Sequence, residues 1–185
     1  SKEEILERIN NNTITDILNK IEVKAGDVVM VKAGTIHAIG AGVFICEIQQ
    51  NSNCTYRMYD YDRRDKFGNP RELHVKKALD VVDNHKYIKD NKTEVVIARN
   101  EHFTEERLVQ CKYFEVYKYD VNDEAKITVD EASFVSVLFI NGSGTIETDD
   151  YEKTMEFKAG DSFFVSAGLR SIIIKGQATM VVTRV

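Results

Sequence analysis

One thirteen-residue segment occurs twice, and it limits the possible folds more than any other feature. Residues 22–34 read Glu-Val-Lys-Ala-Gly-Asp-Val-Val-Met-Val-Lys-Ala-Gly. Residues 156–168 read Glu-Phe-Lys-Ala-Gly-Asp-Ser-Phe-Phe-Val-Ser-Ala-Gly. Eight of the thirteen positions are identical at a constant offset of 134 residues, with no gap. Self-similarity in fixed register implies two copies of one structural unit. The pattern is a strand, a Lys-Ala-Gly-Asp turn, a second strand and a second glycine turn. Gly26 and Gly160 can take positive φ in such a turn, and Asp27 and Asp161 can accept bonds from nearby backbone N–H groups. Glycine turns of this kind recur in many β proteins, so it is the register and the number of identities that favour duplication.

The rest of the 185 residues is assigned around this repeat. Ser1 followed by Glu4 forms a capping box ahead of Ile5, Leu6 and Ile9, and Thr13 with Asp16 repeats the signal before Ile14, Ile17, Leu18 and Ile21. Two short helices are therefore expected within residues 1–21. Val28–Val31 and Val43–Ile48 are β-type runs. Residues 60–71 form a charged loop holding the only proline, Pro70. Glu72–Val82 is expected to be a helix. The polar stretch 84–93 makes the best boundary, dividing a first domain, 1–90, from a second, 91–185. In the second, strand-type runs recur about every ten residues with glycine turns, which means a sandwich or barrel. They are Val95–Ala98, Tyr113–Tyr119, Ile127–Val129, Phe134–Ile140, Thr145–Thr148, Ser162–Val165, Ile172–Ile174 and Met180–Thr183.

Composition excludes other classes. With 43% hydrophobic and 30% charged residues, the chain is neither disordered, collagenous nor a coiled coil. At this size roughly 70% of the unfolded surface can be buried, so a core forms without staples. No apolar run reaches the length of a membrane span, and no secretory pattern opens the chain. A net charge of −5 argues against nucleic acid, whose binding depends on neutralising phosphates. It leaves room for a local basic pocket for one phosphate. Cys46, Cys54 and Cys111 are odd in number and lack CxxC spacing, which suits a reducing compartment.

The turn–strand–turn arrangement resembles half of a cupin, a double-sheet jelly roll. The fold class expected is all-β with short helices: two cupin-like jelly rolls, one partial and one complete but degenerate. The second copy has the full order, Phe134–Ile140, then Asn-Gly-Ser-Gly-Thr-Ile, then Lys-Ala-Gly-Asp. Helices stand where the first copy should have its upstream hairpin, so its partner strands are expected before residue 1.

The two copies diverge just after the shared glycine. Gly34-Thr35-Ile36-His37 faces Gly168-Leu169-Arg170-Ser171. His37 can be a ligand for a borderline cation such as zinc, or a half-buried histidine bonded to backbone. By alternation Glu47, Gln49 and Asn51 share a face, which lines either a wet sugar-sized pocket or the solvent side of a strand. Arg57 has Tyr56, Tyr59 and Tyr61 nearby. Its five-donor guanidinium suits an anionic oxygen or phosphate, and equally a salt bridge to Asp60 or Asp62.

Three segments together carry a resemblance. Ala33-Gly34-Thr35-Ile36-His37-Ala38-Ile39, Glu47-Ile48-Gln49-Gln50-Asn51-Ser52 and Tyr56-Arg57-Met58-Tyr59-Asp60-Tyr61-Asp62-Arg63 resemble class I mannose-6-phosphate isomerase, short bacterial form, over about residues 20–83. The resemblance implies a cytoplasmic, zinc-dependent aldose–ketose isomerase interconverting mannose 6-phosphate and fructose 6-phosphate through an ene-diol. In that reading His37 matches the last zinc ligand and Arg57 the active-site arginine. Arg63 matches a basic residue near the substrate phosphate, and Glu47 a pocket carboxylate. The family's other ligands, a Gln-x-His segment and a glutamate, have no counterpart at a plausible place here. They are expected upstream, in an N-terminal part of the same protein. The chain alone is then expected to be inactive. His74, His85 and His102 read as surface residues. A non-catalytic sugar-binding or regulatory cupin, and another sugar-phosphate isomerase or epimerase, are the alternatives.

Overall fold

The computed structural model describes residues 1–52, 54–85, 95–149 and 153–185. The chain divides into two compact units, Ser1–Lys89 and Asp90–Val185. Most of the polar stretch 84–93, expected as the boundary, lies outside the described residues.

The second unit is built from β1 (Val95–Arg99), β2 (Phe103–Gln110), β3 (Glu115–Val121), β4 (Glu124–Val129), β5 (Val135–Thr148), β6 (Thr154–Lys158), β7 (Ser162–Val165) and β8 (Arg170–Arg184). Its strands follow the order β1-β2-β3-β8-β5-β6, with β4 also on β8 and β7 also on β5. Every pairing is antiparallel. β5 and β8 are 14 and 15 residues long, and each joins two runs that the sequence suggested as separate strands. β5 stays continuous through a bulge between Phe139 and Asn141, which bends a strand without ending its ladder. The glycines inside it serve close approach. A Cβ on Gly142 would lie 1.9 Å from the Gln177 carbonyl oxygen, and one on Gly144 would lie 2.0 Å from that of Lys175. Only a hydrogen fits where β5 and β8 touch.

Alternate residues of these strands make the core. Ile127, Val137, Phe139, Ile174, Met180 and Val182 are wholly buried, each stabilising the fold by about 1.5–3 kcal/mol relative to exposure. Phe139 stacks on Phe157 at 3.8 Å and meets Phe163 edge-on at 5.9 Å. β2 was not foreseen, whereas β6 is the strand that the repeat pattern sets before its Lys-Ala-Gly-Asp turn. β2 reads Phe-Thr-Glu-Glu-Arg-Leu-Val-Gln, too polar to register as a strand by composition.

The first unit begins as its capping box indicates. Helix α1 (Lys2–Asn10) has Ser1 as N-cap, whose hydroxyl accepts from the Glu4 amide at 3.2 Å. A short 3-10 helix, Ile14–Ile17, and helix α2, Val75–Val81, follow. Ile5, Ile9 and Ile14 pack with Ile36, Met58, Tyr59, Val75, Leu79 and Val82. The expected strands Val28–Val31 and Val43–Ile48 are a correction: neither is a strand, and the unit has no strand among the described residues. The reason is the want of a partner, since an extended run becomes stable only by pairing and burying a face. Val29, Val31, Val43, Phe44 and Ile45 are instead exposed.

The turns of the repeat nevertheless form alike. Gly26 and Gly160 have φ of 92° and 90°. The Asp27 amide donates to Lys24 O and the Asp161 amide to Lys158 O, both at 3.1 Å. The carboxylates of Asp27 and Asp161 accept from the Lys24 and Lys158 amides at 3.2 and 2.9 Å. Among the described residues no helix is long and apolar enough to cross a membrane.

Candidate active site

The residues singled out by sequence lie in the first unit. Arg57 is fixed through its backbone. Its amide donates to His74 Nδ1 at 3.3 Å, and the His74 amide donates to the Arg57 carbonyl at 2.7 Å. His74 is also the N-cap residue of α2. Helix α2 therefore anchors the segment that carries the arginine. This corrects the reading of His74 as a surface residue: its side chain is only 25% exposed. Nothing in its sequence neighbourhood foretold the pairing, because it spans 17 residues.

The Arg57 guanidinium donates to the Glu72 carbonyl at 3.4 Å. The salt bridges that the sequence left open to it are taken elsewhere. Asp60 pairs with Arg71 at 3.4 Å and Asp62 with Arg64 at 3.1 Å. Among the described residues no carboxylate pairs with the Arg57 guanidinium. The loop that follows is tightly built. Asp65 accepts from the Phe67 and Asn69 amides at 2.8 and 2.9 Å, and these bonds, that from Asn69 first, hold its carboxyl below the usual range. Arg64 bridges to Pro70 through the backbone and donates to Gly68 O at 3.1 Å.

Arg63 is exposed, its guanidinium 5.1 Å from the centre of the Tyr61 ring. His37 is exposed too, three residues past an anchored turn. Gly34 has φ of 85°, its carbonyl accepts from the Asp83 amide at 2.9 Å, and a Cβ there would lie 2.7 Å from Val81 O. His37 Nδ1 lies 2.9 Å from the Thr35 carbonyl, so this nitrogen donates, and Nε2 is the nitrogen open to a metal when the ring is neutral. Glu47, Gln49 and Asn51 are exposed and belong to no strand. The strand on which alternation would set them on one face is absent among the described residues. No hydrogen bond or ion pair among the described residues joins any two of His37, Glu47, Arg57 and Arg63.

Among the described residues no group of three His, Cys, Asp or Glu side chains could hold a metal ion. The residues present do not fit a zinc site by themselves, since zinc takes three or four protein ligands. His85 and His102 each face a carboxylate instead, Asp83 at 2.6 Å and Asp123 at 2.9 Å. Ser171, the counterpart of His37 in the repeat, is buried and its hydroxyl donates to Asp149. That bond first, then Lys126, holds the Asp149 carboxyl below its usual range.

The family described as "Mannose-6-phosphate isomerase, cupin domain" matches residues 104–185. Over those residues the chain is similar to that cupin domain. The similarity to this family extends over the whole chain. YvyI of Bacillus subtilis (strain 168) is 41% identical over 190 residues, covering 100% of this chain and 57% of the relative. Mannose-6-phosphate isomerase ManA of the same organism is 33% identical over 193 residues, covering 99% of this chain and 56% of the relative. The crystal structure of mannose 6-phosphate isomerase from Bacillus subtilis superposes with a TM-score of 0.88 at 38% identity. That alignment takes in 100% of this chain and 57% of the crystallised one. The chain thus spans little more than half the length of these mannose-6-phosphate isomerase relatives.

Proposed function

We propose that this chain, within a protein of its relatives' full length, is part of a zinc-dependent, cytoplasmic isomerase interconverting mannose 6-phosphate and fructose 6-phosphate. The observation that carries the reading is the 41% identity running through both units, over a chain whose Arg57 is backbone-anchored and has no carboxylate partner among the described residues. Moving a proton between C1 and C2 of the open sugar develops negative charge on an ene-diolate. Arg57 stabilises that charge electrostatically. Glu47 is placed at the substrate, as a candidate for the base that the proton transfer needs. Arg63 takes the phosphate, and its binding energy holds the sugar in place.

His37 serves as one metal ligand. Its Nδ1–H bond to the Thr35 carbonyl supports this, because ligating histidines donate their second nitrogen to such an acceptor. The other ligands, and the strands that cover the exposed Val29, Val31, Val43 and Ile45, come from the part of the relatives' length outside this chain. Zinc content and mannose 6-phosphate turnover, measured on the full-length protein and on this chain alone, test the assignment. Stoichiometric zinc and turnover are expected in the former and neither in the latter. Full turnover by residues 1–185 alone would refute the ligand placement. In the full-length protein Arg57→Lys should lower kcat and kcat/KM together, since lysine keeps the charge and loses the planar fork of donors. A change confined to KM would assign Arg57 to ground-state binding instead.

A further inference from the structure

The segment Asp60–Arg63 closes as a turn with the Arg63 amide donating to the Asp60 carbonyl at 3.0 Å. Both central residues have positive φ, Tyr61 at 55° and Asp62 at 51°. Such a turn normally holds Asn, Asp or Gly. A tyrosine there is a genuine outlier, and side chains are kept in this region only where the surroundings over-determine it. The surroundings do so here. Asp60, 12% exposed, is tied to Arg71 at one end. Asp62 is tied to Arg64 at the other. The Tyr61 ring leans on Tyr59 at 5.0 Å, and Tyr59 packs against the Ile5–Ile9–Ile14 core. Beyond Tyr61 stands the Arg63 guanidinium, 5.1 Å from its ring. The result is a column from core to solvent: Tyr59, Tyr61, Arg63.

A ring stacked under a guanidinium restricts an otherwise mobile side chain and leaves its donors pointing outward. The geometry points to Tyr61 as the positioning residue that presents Arg63 to a phosphate monoester, with the strained turn as the device that sets the ring beneath it. This rests on the reading of Arg63 as the phosphate residue. The strain is then maintained for the sake of anion recognition, because an unstrained asparagine would close the same turn.

The test uses the full-length protein, with Tyr61→Asn, Tyr61→Phe and Arg63→Ala. Three quantities are read: the dissociation constant of inorganic phosphate by phosphorus NMR titration, KM and kcat for the sugar phosphate, and the melting temperature. Asparagine tolerates positive φ, so Tyr61→Asn should melt no lower than the wild type. It should weaken phosphate binding and raise KM about three- to fivefold, the size of an exposed cation–π contact, with kcat little changed. Tyr61→Phe, which keeps the ring, should restore wild-type values. Arg63→Ala should weaken phosphate binding about tenfold or more, as loss of a charge-assisted contact does. If Arg63→Ala weakens binding and Tyr61→Asn does not, the positioning role is refuted while Arg63 keeps its own. If Arg63→Ala leaves phosphate affinity unchanged, both fall. If Tyr61→Asn lowers the melting temperature and phenylalanine fails to restore binding, Tyr61 is structural and the inference is wrong.

Discussion

The Lys-Ala-Gly-Asp turns at 24–27 and 158–161 differ by only 2° in glycine φ and close with the same 3.1 Å bond. Their flanks differ completely. Residues after the second turn become β7, paired to β5, while residues after the first join no strand pairing among the described residues. A turn of this kind is made by two residues, a glycine free to take positive φ and an aspartate that accepts a backbone N–H. A strand is made by its neighbour. Identical local sequence therefore reproduces the turn and leaves the strand to whatever lies alongside.

The largest effect that would break this contrast is in the cores. Phe139→Ala should destabilise the second unit by about 3–5 kcal/mol, the cost of emptying a buried aromatic site. Val29→Ala should cost less than about 0.5 kcal/mol, as an exposed position does. Urea unfolding of the chain compares the two, and a comparable loss at Val29 would mean that the first copy is packed after all.

The glycines come next. Nothing lies within 4 Å of a Cβ at Gly26 or Gly160, so alanine meets only backbone strain, about 1–2 kcal/mol at either place. Gly160→Ala should speed hydrogen exchange throughout β5. Gly26→Ala should leave β5 untouched, and acceleration there by both would show that the two turns support one cooperative structure. A smaller change is expected from Asp161→Ala and Asp27→Ala. Each removes a turn bond worth about 0.5–1.5 kcal/mol, read as lost protection of the Lys158 and Lys24 amides respectively, and Asp161→Ala also removes the exposed 3.3 Å contact to Lys158 Nζ.

The smallest effect concerns the His102–Asp123 pair of the second unit, 2.9 Å apart, whose counterpart in the first unit is His85–Asp83 at 2.6 Å. His102 is pushed above its ordinary pKa by its bond to Asp123, and Asp123 is held below its own chiefly by the same bond. The histidine's contribution to stability is present below its ordinary pKa and fades as pH rises through the raised value. The aspartate's is present above its ordinary pKa and fades as pH falls through the lowered value. The pair therefore helps between those two limits. Melting of His102→Gln against wild type across pH should show a small deficit that closes at alkaline pH. A deficit independent of pH would mean that the bond is not ionic.

The local parts of the fold were legible. Ser1 and Glu4 announced α1, and the Ser162–Val165 run is β7. Glu72–Val82 found α2, three residues early, because His74 and not the charged Glu72 caps it. β5 was split at Asn141-Gly142-Ser143-Gly144 because glycines usually signal turns. Here they mark where two backbones touch, which depends on Gln177 and Lys175 over thirty residues away. At the candidate site, His37, Glu47 and Arg57 were singled out by residue type and setting, and Arg63 only by the family resemblance. The His74 anchor and the strained Tyr61 could not be named, since neither histidine nor tyrosine prefers its observed role.

The sequence by itself determined the turns, the helix start and the alternation that fills the second unit's core, because those depend on residues within a few positions of each other. The tertiary structure alone decided which β-type runs became strands, which glycines meant contact, and that Arg57 would be held by a histidine 17 residues on. Those outcomes depend on partners distant in the chain, and a ladder, a close approach or an anchoring bond exists only once both sides have been brought together.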